Sequence, residues 1–143
     1  MEKTGPEVTT MADAPDMVLT LIALQDALGG QYAELSRPKL RLMVKLEDGP
    51  VSMSDLADRL HISSPAVSQM IDKLSSDGYV RRQSFQDDQR VVAAALTDTG
   101  REALKRALNA FRIRVDEVLA PLSPDESTQL AALLEKIARA AVK

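Results

Sequence analysis

Apolar residues recur along this chain at two different periods, and the change of period divides it. From Pro15, tolerated in a helix's first turn behind Asp13 or Ala14, Met17, Leu21, Leu24 and Leu28 repeat at helical spacing, with Val18 and Ile22 widening the stripe. Gly29-Gly30 interrupts it. Adjacent glycines weaken a helix by about 1 kcal/mol each relative to Ala, so a bend or break is expected before Tyr32 and Leu35. Ser36 heads a second helix carrying Leu40, Met43, Val44 and Leu46, stopped by Asp48-Gly49-Pro50. Ser52 opens a short third helix with Asp55 at its third position and Met53, Leu56, Ala57 and Leu60 as its apolar set. After the turn at His61-Ile62, Ser63 or Ser64 caps a fourth helix, with Pro65 in its first turn and Val67, Met70, Ile71 and Leu74 facing inward. Gly78 fits a left-handed cap at its end.

Beyond Gly78 the period shortens. Tyr79–Ser84 and Val91–Leu96 are rich in β-branched residues and bracket a polar loop from Phe85 to Arg90, which reads as a two-stranded hairpin with a charged tip. Helical spacing returns at Thr97-Asp98 with Ala103, Leu104, Ala107, Leu108, Phe111, Val115, Val118 and Leu119, and Pro121 ends the run. Ser123-Pro124-Asp125-Glu126 has the form of a capping box, and Leu130, Leu133, Leu134, Ile137 and Ala141 follow it. Residues 1–12 show no periodicity and read as a flexible arm.

Composition narrows the function more than the fold. With 45% apolar and 27% charged residues, the 143-residue chain is that of a globular domain. It has no Cys, which excludes disulfides, thiolate metal sites and a thiol nucleophile, and its one His (His61) precludes a multi-histidine metal site within a subunit. There is no phosphate-cradling glycine loop, no HExxH and no nucleophile–base pair around His61, so no catalysis and no cofactor are expected. No apolar run reaches the roughly 18 residues of a membrane span. The N-terminal stretch, with one Lys and no apolar core, is not a secretion signal. A cytoplasmic location is the expectation. Net charge is −3, unevenly spread: residues 1–36 hold one base and six acids, residues 37–99 nine of each, and residues 100–143 eight bases and six acids. A neutral middle segment can still bind phosphate if its bases gather on one face.

Helix, short turn, helix and hairpin in this order form a winged helix-turn-helix, in which the second helix presents its N-terminal half to the DNA major groove. The outward side of that helix is Ser64, Ser68, Gln69 and Lys73, with Asp72 beside them. Ser and Gln can bond base edges and Lys a phosphate. Arg81 and Arg82 fall on the hairpin strand, as phosphate contacts or as exposed residues that discourage edge pairing. Arg90 stands at the loop exit, where an Arg can enter the minor groove.

From about Leu35 to Gly100 the sequence resembles the MarR (multiple antibiotic resistance regulator) family of transcription regulators. The likeness is carried by Leu35-Ser36-x-x-x-Leu40, Gly49-Pro50-Val51-Ser52, Asp55-Leu56-Ala57-x-x-Leu60, Val67-Ser68, Lys73-Leu74 and Asp77-Gly78-Tyr79-Val80-x-Arg82. Its most specific part is Asp88-x-Arg90 with Leu96-Thr97-x-x-Gly100 after it. The resemblance implies a homodimer whose terminal helices interlock and whose two lobes read a pseudo-palindromic operator. It makes Arg90 the wing-tip residue, makes Asp88 the group that holds the tip through a nearby Arg, and puts Ser64, Ser68 and Gln69 on the base-reading face. It also implies a small anionic or aromatic effector between dimer helices and lobe, for which Tyr32, Met43 and Phe111 are candidate lining residues, core packing being their other possible duty. The sequence departs from the family at Gln69, often basic in relatives, at His61, commonly Gly, and at Gly29-Gly30.

The expectation is a mostly α fold with a small β-hairpin wing: an arm at 1–12, dimerisation helices at 13–36 and 98–143, and a winged helix-turn-helix lobe at 37–97. The expected function is sequence-specific, ligand-responsive repression of a palindromic operator in double-stranded DNA by a homodimer. Two alternatives stay open, a winged-helix module for protein–protein contact and a DNA-binding regulator without an effector. No metal or membrane partner is expected.

Overall fold

A computed structural model describes residues 15–85 and 88–141. The arm expected at 1–12 and the tip residues Gln86 and Asp87 lie outside the described residues. In chain order the elements are α1 (Pro15–Ala27), β1 (Gln31–Tyr32), β2 (Leu35–Ser36), α2 (Arg37–Lys45), β3 (Val51–Ser52), α3 (Met53–Leu60), α4 (Ser64–Ser76), β4 (Val80–Phe85), β5 (Asp88–Leu96), α5 (Asp98–Leu119) and α6 (Pro124–Ala141).

The helix starts follow from their caps. Ser52 Oγ accepts from Asp55 N–H (3.2 Å), Ser63 Oγ from Ala66 N–H (3.2 Å) and Thr97 Oγ1 from Gly100 N–H (2.9 Å). At α6 the capping box is closed from both sides: Glu126 N–H donates to Ser123 Oγ and Ser123 N–H to Glu126 Oε1. The end of α4 is a Schellman turn, with Gly78 at φ +81°, Gly78 N–H donating to Ser75 C=O and Tyr79 N–H to Leu74 C=O.

Three features differ from the sequence reading. The first helix stops before the glycine pair, but residues 31–36 then form a tight antiparallel ladder, Tyr32 facing Leu35, and bury both side chains in the lobe core. They pack against α2 and α5. Val51-Ser52, read as a loop and cap, also pair with Ala94 and Ala93, so the wing sheet has three strands in the order β3-β5-β4. The hairpin is longer than the β-branched pattern implied. Ser84 pairs with Val92 and Phe85 with Asp88, which brings Asp88 and Arg90 onto β5 with a bulge between the two pairs. A wing wet on both faces needs no apolar alternation, so its outer half left no signal of strand.

The core gathers Leu35, Leu40, Leu42, Met43, Leu46, Leu56, Val67, Ile71 and Leu74, all essentially inaccessible. In α2 it is Leu42 that turns inward, while Val44 is exposed. Among the described residues α1 and α6 contribute no buried side chain; Leu19 (64% exposed), Ile22 (50%), Leu133 (58%) and Ile137 (64%) lie open. No helix among the described residues is long and apolar enough to cross a membrane.

Candidate nucleic-acid interface

The α3–α4 turn closes at His61, which takes the left-handed conformation (φ 56°) while Ile62 N–H donates to Ala57 C=O (3.1 Å). This turn lets Val67 at the start of α4 drop into the core behind Ala57 and leaves the opposite side of α4 outward. There Ser64, Gln69 and Lys73 are exposed and Ser68 is half-buried. The helix thus presents two hydroxyls, one amide and one ammonium, a set that can bond base edges and phosphates.

On the wing, one carboxylate organises one guanidinium. Asp88 Oδ1 accepts from the backbone N–H of Arg90 (3.0 Å) and from its Nε (3.1 Å), and Oδ2 accepts from Nη2 (3.4 Å). The Arg90 side chain remains 92% exposed. These bonds hold the Asp88 carboxyl below its ordinary pKa, the side-chain bond first and the backbone bond second. The nearby Arg that Asp88 was expected to engage is therefore Arg90 itself.

Arg82 is placed differently from a free phosphate ligand. Its Nη1 donates to Asp72 Oδ1 at 2.7 Å, tying β4 to α4. Arg81 turns back to its own sheet, with Nε on Gln83 Oε1 and Nη1 on the Leu96 carbonyl. The partnership of Asp72 and Arg82 had no signal in the sequence, since the two stand ten positions apart on elements of different period.

A groove of about 710 Å³ opens between the terminal helices and the lobe. Leu21 and Leu24 of α1, Val115 of α5 and Leu134 of α6 form apolar walls, and Arg37 and Arg41 of α2 also line it. Of the three residues expected at an effector cleft, Phe111 alone lines it. Tyr32 is buried behind Phe111, edge to face at 5.0 Å with its hydroxyl donating to Leu28 C=O, and Met43 is fully enclosed in the core. Arg37, missed in the sequence, lies over the Phe111 ring (4.9 Å to the centroid). Burial first, and then the neighbouring charge of Arg41, push its pKa down. Among the described residues neither Arg37 nor Arg41 has a carboxylate partner.

Compared with known families, residues 35–92, from β2 through the wing into β5, match the model of the MarR family. Over this segment the chain is similar to the MarR family. It is 38% identical over 88 residues to YkoM of Bacillus subtilis, named as an uncharacterized HTH-type transcriptional regulator; the match covers 62% of this chain and 57% of that protein. The chain thus spans little more than half of that relative's length. Among solved structures, the transcriptional regulator BldR from Sulfolobus solfataricus superposes with a TM-score of 0.71 at 26% identity, over 92% of this chain and 99% of that one. Sco3205 from Streptomyces coelicolor, a MarR family transcriptional regulator solved in complex with DNA, shares the fold with a TM-score of 0.70 at 24% identity, over 99% of this chain and 94% of that one. The matched segment includes Ser64, Ser68, Gln69, Asp72, Lys73, Arg81, Arg82, Asp88 and Arg90, together with Arg37 and Arg41. The terminal helices and most of the groove wall lie outside it.

Proposed function

We propose that this chain is a sequence-specific DNA-binding transcriptional regulator, acting as a homodimer on a pseudo-palindromic operator and repressing by occlusion. The observation that carries this reading is the wing: an arginine 92% exposed, steadied by its own strand's aspartate, beside a recognition helix whose outer face is polar and open. Arg90 is suited to the minor groove, and Ser64, Ser68 and Gln69 to base edges in the major groove. Lys73 would meet the backbone. Pairing is supported by the uncovered apolar faces of α1 and α6, which a second copy would cover. Two-fold symmetry then sets the recognition helices about 34–36 Å apart, one DNA turn. We infer a cytoplasmic location on the same ground, since an operator-binding protein works where the chromosome lies.

The groove supports a small-molecule input. Two guanidiniums without a carboxylate partner among the described residues, lining an apolar groove, suit an aromatic or apolar body bearing a carboxylate. A ligand wedged there would alter the spacing of the lobes and so the fit to adjacent grooves.

Selection of bound fragments from the source genome, repeated at several salt concentrations, tests the reading. A DNA reader gives a steep salt dependence together with a recurrent palindromic sequence. A flat salt response and no enriched fragment would overturn it in favour of a protein–protein module. Thermal shifts with phenolic acids test the input, since a ligand at 100 times its Kd adds about 2.7 kcal/mol. Arg37→Gln should abolish that shift.

A further inference from the structure

A second cavity, of about 350 Å³, lies along the first half of α5 where that helix passes the end of α2 and the end of β5. It shares no lining residue with the groove between the terminal helices. Its floor is apolar: Leu96 and Leu104 are nearly inaccessible and Leu108 is half-buried. Its rim is basic. Arg101, Lys105 and Arg112 recur at helical spacing along one side of α5, all three exposed, and among the described residues none is within ion-pair distance of a carboxylate. Arg112 Nη1 donates to Asn109 Oδ1 (2.9 Å), which commits the amide oxygen, so what Asn109 can still offer is its Nδ2–H donors. Glu47 is the single acid lining the cavity, set against the three cations.

We propose that this cavity is a binding site for a small organic phosphate, a phosphate monoester carrying a short apolar body. The phosphate lies at the Arg101–Lys105–Arg112 rim, where guanidinium and ammonium donors make charge-assisted bonds. The apolar body rests on Leu96, Leu104 and Leu108. A monoester carries close to two negative charges at neutral pH, its second ionisation falling near pH 6. That matches the excess of cations over Glu47, which a carboxylate would half fill. An inorganic ion would leave the leucine floor unused. The volume stands at the small end of ligand pockets, about 300–1,000 Å³, so a single ring or short chain fits.

Titration of the full chain with phenyl phosphate, followed by backbone amide NMR at constant ionic strength, tests this, with inorganic phosphate and benzoate as comparators. The expected result is saturable shifts confined to residues 101–112 and to Glu47 and Leu96, with phenyl phosphate binding more tightly than either comparator. Arg101→Gln and Lys105→Gln, both on exposed positions that keep the fold's amide spectrum, should each weaken binding by about three- to tenfold. Arg41→Gln, in the other groove, should leave it unchanged. No saturable shift up to about 10 mM, equal affinity for inorganic phosphate, shifts confined to α4 and the wing, or indifference to both α5 variants would each overturn the assignment.

Discussion

The carbonyl oxygen of Tyr79 occupies the space where Gly100 would carry a side chain: a Cβ built on Gly100 lies 1.9 Å from that oxygen. The contact is held by Thr97, whose Oγ1 donates to Gly78 C=O (2.5 Å) and accepts from Gly100 N–H, while its own N–H donates to Tyr79 C=O (3.1 Å). The exit of α4 and the entry of α5 are thereby locked to one another. Gly100→Ala must push backbone against backbone and is expected to destabilise the fold by about 1–3 kcal/mol or more. Urea unfolding measures it, and an unchanged midpoint would contradict the close approach.

The wing contact is pH-dependent in one direction only. Asp88 titrates below its ordinary value of 3.8 because Arg90 bonds its ionised form. What this pair adds to the folded wing is therefore fully present above that ordinary value and is lost as pH falls through the lowered one. The Arg90 amide resonance should hold steady from neutrality to about pH 4–5 and move only in more acid solution. Movement centred near neutrality would rule out Asp88 as its partner.

Arg90→Ala is expected to weaken operator binding by about 1–3 kcal/mol while leaving thermal stability close to wild type, since the side chain is 92% exposed. Binding isotherms at moderate salt decide this. Equal affinity would remove Arg90 from the interface.

Gln69→Ala should act on selectivity more than on affinity. Its amide is exposed on α4 next to the half-buried Ser68, and loss of one bidentate base contact relaxes preference at one position per half-site. A selection profile identical to wild type would count against a reading role.

Leu133→Glu and Ile137→Glu place a charge on a face that the chain's own core does not use. The protomer should stay folded, and the dimer constant should rise at least tenfold, since each leucine-sized side chain kept from water is worth about 1.5–3 kcal/mol. Sedimentation over a range of concentrations reads this directly; unaltered association would move the interface elsewhere.

How legible the chain was depends on what each element packs against. Helices with one face in the core announced themselves, and the Ser52 cap and the Ser123–Glu126 box were readable to the residue, while the α4 cap was narrowed to Ser63 or Ser64 and proves to be Ser63. Strands that satisfy only their backbones were not. The ladders at 31–36 and 51–52 have strands of only two residues, too short to show a period, and the outer half of the wing is wet on both faces. At the site, the spacing of Asp88 and Arg90 could be read because the two stand only two residues apart in the chain. The Asp72–Arg82 pair and the placement of Arg37 over Phe111 could not, for each joins elements whose relative position only the packed core determines. For Tyr32 and Met43 the sequence left groove lining and core packing both open, and both are buried in the core.

The Asp72–Arg82 bridge has a consequence for how the two reading elements respond to change. An ion pair exposed on both sides stabilises the fold by no more than about 1 kcal/mol, yet it couples the orientation of a helix to that of a ribbon. A substitution that tilts one element drags the other with it. Losses measured separately in α4 and in the wing should not sum, and evolution of a new target sequence has to retune both at once.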